Sequence, residues 1–159
     1  VVFCIESGLH LACLLAPKFA FFAHNELLLH RLTGMAQQYG LSQHMVPGGH
    51  LNISYNTFPD MFEHPSRHFD SVVSAAREVV ARGANMLFPA ALALTQFMVD
   101  NDLLDIDGCR VLDAAGAAVK VAELMVDLKG IGISRGRSGD YAAPPLDIRE
   151  ALRGLYKQV

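Results

Sequence analysis

The chain has 159 residues, a mass of 17.3 kDa and a formal net charge of −3, from 13 Lys plus Arg against 16 Asp plus Glu. With 52% hydrophobic and only 18% charged residues, it cannot belong to the disordered class, which combines low hydrophobicity with high net charge. It also lacks the basic excess that a nucleic-acid partner requires for neutralising phosphates.

Val1–Ile5 reads as a strand, and because the chain opens there without Met, a preceding N-terminal part is expected. Leu9–Ala16 is predicted to be helical from Leu11, Leu14 and Leu15, with Pro17 as its stop. Lys18–Ala23 is a second strand, apolar on both faces as in a parallel sheet covered by helices. Its core, Phe19–Ala23, is the most apolar window and falls far short of the roughly 20 residues that span a membrane. Asn25 can cap a helix over Glu26–Tyr39 that ends at Gly40. Then follow a strand His50–Tyr55, an aromatic-rich loop Asn56–Pro65, and a helix from Ser66 or Asp70 to Arg82, closed by Gly83. Asn85–Phe88 is a strand, Leu92–Val99 a helix, Asp100–Gly108 an acidic turn and Arg110–Leu112 a strand. Ala115–Leu128 is a helix, Ile131–Pro145 a loop, and Asp147–Tyr156 a short amphipathic helix.

Alternation of strand and helix implies an α/β fold, a Rossmann-like parallel sheet with helices on both faces and right-handed crossovers. In such sheets ligands bind beyond the carboxyl ends of the strands. That rule selects the loops at Glu6–Gly8, His24–Asn25, Tyr55–Phe58, Pro89–Ala91 and Asp113–Gly116.

Each loop has a plain structural reading beside a functional one. Pro89-Ala90-Ala91 leads a strand into a helix whose first N–H groups can hold an anion, or it is a connector. Asp113 is read first as a helix cap and second as an acid. His24 offers an imidazole that titrates near neutrality and Asn25 an amide, or Asn25 caps its helix and His24 is merely exposed. Glu6 suits a helix N-terminus or a ligand contact equally. Arg135 and Arg137 either close over an anion or are solvated.

Other chemistries find no motif. The seven His include His64 and His68, four apart but separated by Pro65, and no HExxH or CxxC is present, so no metal is expected. Gly130-Ile131-Gly132 follows a helix and is no dinucleotide fingerprint, and no Gly-x-Ser-x-Gly elbow exists. Cys4 and Cys13 read as inert core thiols, and Cys109 sits at the end of the sheet away from the crevice. Three scattered cysteines fit a reducing compartment, and a cytoplasmic location is expected.

Several segments together resemble the aspartate/glutamate/hydantoin racemase superfamily, in its hydantoin racemase-like branch. They are Gly83-Ala84-Asn85-Met86-Leu87-Phe88-Pro89-Ala90-Ala91, Asp107-Gly108-Cys109-Arg110-Val111-Leu112-Asp113, Ala117-Ala118-Val119-Lys120-Val121-Ala122-Glu123, and Ser134-Arg135-Gly136 with Tyr141-Ala142-Ala143-Pro144-Pro145. Ile5-Glu6, Leu9-His10-Leu11-Ala12 and the Lys18–Ala23 strand fit the same register.

The resemblance implies two similar lobes with substrate between them. It implies proton abstraction from a carbon acid without a cofactor, by a thiol from each lobe. On that reading residues 1–17 are a lobe-junction strand and helix, 18–113 the second lobe, and 114–159 a crossover helix, loop and C-terminal helix belonging to the first lobe. The substrate-binding positions would be Glu6, His24, Asn25, Pro89, Ala90, Ala91, Asp113 and Gly116. The second-lobe cysteine position falls on Ala91, and the first-lobe cysteine would lie upstream of Val1. Altered or lost racemase activity is therefore expected. The alternatives are a non-catalytic small carboxylate-binding protein on the same scaffold, and a one-thiol decarboxylase or isomerase. A homo-oligomer is expected to cover apolar surface.

Overall fold

In the computed structural model, which describes residues 2–134, 136 and 144–156, Phe19–Ala23 forms β1 and all five side chains are buried. Phe19, Phe21 and Ala23 enter one core and Ala20 and Phe22 the other. A strand buried on both faces has this continuous apolar character because helices cover each side. Gly49–His50 is β2, Met86–Pro89 β3, Asp105–Ile106 β4 and Cys109–Val111 β5. They form one sheet in the order β2-β1-β3-β5-β4, parallel except for the β4–β5 pair. The α/β architecture expected from the sequence is the one observed.

One face carries α1 (Cys4–Leu15) and α2 (Glu26–Gln38), through Ile5, Leu9, Ala12, Leu32 and Ala36. The other carries α3 (Phe58–Glu63), α4 (Pro65–Val80) and α5 (Leu92–Asp100), through Phe58, Met61, Val72, Val79, Leu94 and Phe97. The chain divides into two units, Val1–Glu123 and Leu124–Val159. The sheet and α1–α5 lie in the first. Helix α6 (Ala114–Gly130) starts in the first unit and ends in the second, and α7 (Leu146–Tyr156) lies in the second. No helix among the described residues is long and apolar enough to cross a membrane. Arg135 and Arg137 lie outside the described residues.

Four expectations are corrected. Of the strand expected over Val1–Ile5, the described residues 2–5 form none, because helix α1 begins at Cys4. The local β preference of Val-Val-Phe-Cys-Ile is overridden by tertiary packing: Ile5, Leu9 and Ala12 recur at helical spacing and bury against the sheet. Helix α1 approaches β3 so closely that a Cβ on Gly8 would lie 2.5 Å from the Phe88 ring. The predicted strand His50–Tyr55 keeps only its first residue in the ladder. Asn52 adopts φ 57°, which breaks the pleat, although Leu51 and Ile53 still donate N–H bonds to the carbonyls of Ala23 and His24.

The aromatic loop Asn56–Pro65 contains α3, since Phe58 and Met61 sit three apart and both bury. The acidic turn Asp100–Gly108 hides a hairpin. Asp107 and Gly108 both have positive φ, 51° and 85°, and join β4 to β5 as a two-residue turn.

Candidate functional site

The site is built where β1 and β3 end. Phe22 pairs with Pro89 in the parallel ladder, and the Ala90 N–H donates to the Phe22 carbonyl at 2.8 Å. Two residues beyond that pair on each strand stand His24 and Ala91. On the other side of β3, Leu87 pairs with Val111, and the Leu112 N–H donates to the Leu87 carbonyl at 2.8 Å. The same register brings Asp113 alongside Pro89. Sequence reasoning thus selected segments that the sheet gathers at one end.

Three helices start at these strand ends, and they differ in how their first N–H groups are satisfied. Helix α2 is capped by Asn25, whose Oδ1 accepts the Leu28 N–H at 2.9 Å. Helix α6 is capped by Asp113, whose Oδ1 accepts from Ala115 at 3.1 Å and Gly116 at 2.9 Å. For Asn25 and Asp113 the structural role is therefore occupied. Helix α5 has Ala91 at its N-cap position, in extended conformation, with no side-chain cap. The first N–H groups of this nine-residue helix have no acceptor within it. Ala90 and Ala91 are buried and contribute only methyl groups beside them.

The loop before α5 is held from behind by Thr95. This residue is buried, and its Oγ1 donates to the carbonyls of Pro89 at 3.2 Å and Ala91 at 3.3 Å. Nothing in the sequence marks it apart from a threonine one turn into a helix, where back-bonding of this kind is common.

His24 is 8% exposed and not, as its plain reading had it, a surface residue. Its ring packs edge-on against Tyr55 at 5.7 Å and Phe58 at 5.7 Å, and those two rings meet each other at 5.2 Å. Its Nδ1 is buried without a hydrogen-bond partner. Burial lowers the imidazole pKa below its ordinary value, so the ring is held neutral. The two aromatic partners were legible as a candidate loop but not as the box around this histidine.

Glu6, half-buried in the first turn of α1, has no ion pair or hydrogen bond from its carboxylate among the described residues. Gly116 is the first-turn residue of α6 whose N–H the Asp113 cap requires. The Cys4 side chain packs against the core cluster that includes Phe88 and Ala90. Cys4 opens α1, and burial raises the pKa of Cys13. Burial, reinforced by the Asp105 charge, pushes Cys109 up to about 11. These last two thiols are protonated and inert near neutrality.

The fold is shared with a racemase. Allantoin racemase from Klebsiella pneumoniae superposes with a TM-score of 0.67 and 20% sequence identity, over 89% of this chain and 55% of that one. This chain thus spans about half the length of that structure. No protein-family model and no curated protein matches it.

Proposed function

We propose that this chain is a lobe of the aspartate/glutamate/hydantoin racemase type, of the hydantoin racemase-like branch. It binds a small carboxylate or hydantoin-like ring at the ends of β1 and β3, without a thiol to run two-thiol racemisation. The observation that carries the reading is the uncapped start of α5 behind Ala91, beside two neighbouring helices that are both capped. A carboxylate or imide oxygen accepts from such N–H groups and is favoured by the helix dipole. The racemase likeness supports a small carbon acid as the ligand class. On this reading Glu6, His24, Asn25, Asp113 and Gly116 frame the pocket, and no cofactor takes part.

The chemistry follows from what Ala91 lacks. Racemisation removes a proton from one face of a carbon and returns one to the other. A methyl group can do neither. The same N–H groups that hold the ligand would stabilise an enolate if a proton were removed, so the scaffold keeps the electrostatic half of the reaction and lacks a base at that position.

The test is an NMR titration of the full chain with 5-methylhydantoin and with succinate. Saturable shifts of the Ala91, Leu92 and Ala93 amides support the reading. Shifts confined to other residues, or none at millimolar ligand, contradict it.

A further inference from the structure

Thr95, one turn into α5, is 1% exposed, and its neighbours Leu94, Phe97 and Met98 belong to the apolar core. A hydroxyl at such a place is costly unless it is bonded. Ser7, the other buried hydroxyl among the described residues, bonds only to carbonyls at the start of its own helix. Thr95 reaches further. Its Oγ1 donates to the Ala91 carbonyl at 3.3 Å and to the Pro89 carbonyl, outside the helix, at 3.2 Å. The Ala91 carbonyl already accepts the Thr95 N–H at 2.9 Å. What the hydroxyl adds is therefore a partner for Pro89.

The Pro89 carbonyl has no other partner among the described residues. Strand β5 ends at Val111, and the last bond on that side of β3 runs from the Leu112 N–H to the Leu87 carbonyl. Left free, the Pro89 carbonyl stands three residues ahead of the Leu92 N–H, the separation of a β-turn bond. Turned toward the helix, it would take up the first N–H of α5 and close the loop on itself. Bonded to Thr95, it is committed elsewhere. Among the described residues the N–H groups of Ala91, Leu92, Ala93 and Leu94 have no acceptor. Ala91 and Leu94 are buried, and an unpaired donor at a buried residue is costly. A ligand oxygen is an acceptor that offsets this cost.

We propose that Thr95 is a positioning residue for the strand-end site. Its hydroxyl holds the Pro89 and Ala91 carbonyls away from the start of α5, and so keeps the N–H groups of Leu92 and Ala93 open to a ligand oxyanion. The inference rests on the strand-end reading and deepens it. The donors are set before the ligand arrives, so binding does not have to break a bond within the loop. Preorganised donors of this kind serve a bound carboxylate and a developing enolate alike. Thr95 itself touches no ligand and acts through the backbone of residues 89–91.

The experiment is an NMR titration of the full chain with succinate, in the native protein, Thr95→Val and Thr95→Ser. Valine keeps the shape without the hydroxyl, and serine keeps the hydroxyl. Val72→Ala, at a residue buried on α4 in the same core, controls for lost stability alone. Thr95→Val is expected to bind succinate about three- to tenfold more weakly, the size of one lost hydrogen bond. Thr95→Ser and Val72→Ala are expected to stay within about twofold of the native protein. Without ligand, amide hydrogen exchange at Leu92 should slow in Thr95→Val only, as the released Pro89 carbonyl takes its N–H. Full affinity in Thr95→Val, an equal loss in Thr95→Ser or Val72→Ala, or unchanged Leu92 exchange in Thr95→Val would overturn the positioning role. Failure of succinate to bind the native chain would instead sink the strand-end reading, and Leu92 exchange would still decide what Thr95 does to the loop.

Discussion

The Asp113 carboxylate and Gly116 are fitted to one another. Oδ1 accepts the Gly116 N–H at 2.9 Å, and a Cβ on residue 116 would overlap Oδ2. Asp113→Ala removes the cap and is expected to cost about 1 kcal/mol. Gly116→Ala in the native background is expected to be close to neutral, because about 1 kcal/mol of helix propensity is offset by displacing the capping carboxylate. In the Asp113→Ala background the same substitution should stabilise by about 1 kcal/mol. Urea unfolding of the four proteins reads this coupling, and simple additivity would contradict the packing of Oδ2 against residue 116.

His24 ties stability to pH. Burial lowers its folded pKa below the ordinary 6.5, so between the two values the unfolded chain binds more protons than the native one. The contribution of this residue is complete above about pH 6.5 and is lost as pH falls from there toward the folded pKa. His24→Phe keeps an aromatic ring against Tyr55 and Phe58 and removes the unpartnered Nδ1. It is expected to stabilise the protein, by more at pH 5.5 than at pH 8. Thermal unfolding at the two pH values measures this, and an equal or opposite effect would contradict a neutral, buried imidazole.

A second pH effect belongs to the α3–α4 junction. His68 Nε2 lies 2.6 Å from Asp60, and Arg67 lies 3.5 Å from the same carboxylate. The bond from His68 holds the Asp60 pKa below its ordinary 3.8. The stabilisation is present above about pH 3.8 and disappears as pH falls through the folded value. Asp60→Asn should therefore flatten the acid limb of stability below pH 4 while changing little of its slope above it. An unchanged acid limb would show that the contact does not persist in solution.

The seam between α1 and β3 is intolerant of volume. Gly8→Ala places a methyl 2.5 Å from the Phe88 ring, and overpacking of this kind costs roughly 1–3 kcal/mol. Denaturant midpoints of Gly8→Ala and of Gly34→Ala, where nothing lies within 4 Å of the added carbon, separate packing from helix propensity. Gly8→Ala should lose stability and Gly34→Ala should gain it. A gain in both would show that α1 stands off the sheet.

Helix α6 is apolar on several sides, and Val119, Leu124, Met125 and Val126 are exposed on it. Helices of that character are normally buried. Sedimentation of the chain should give dimers or larger species, and a monomer at micromolar concentration would contradict self-assembly.

Much of the fold was legible because burial on both faces leaves a mark that one sequence shows. Phe19–Ala23 reads as a central strand, and Asn25 and Asp113 read as caps, from local chemistry alone. Helix α1 was misread at its start because the apolar residues 1–5 satisfy a strand and a helix equally, and the sheet decides between them. The Asp107–Gly108 hairpin was a readable signal, masked by the surrounding acidic residues. The box around His24 depends on Tyr55 and Phe58, about thirty residues away, and no local pattern carries that contact. The uncapped start of α5 stood in the sequence as the alanines at 90 and 91, but its contrast with α2 and α6 emerged only once three helix starts were seen at one end of the sheet.

The most direct measurement follows a chiral 5-substituted hydantoin and a chiral amino acid in D₂O with the native chain and with Ala91→Cys, reading α-deuteration by NMR and configuration by polarimetry. The native chain is expected to show no inversion. The variant is expected to accelerate α-proton exchange, since a thiol at the start of α5 is ionised more readily there. Inversion by the native chain, or a folded Ala91→Cys variant with unchanged exchange, would contradict the claim that the missing sulfur at this position is what limits the chemistry.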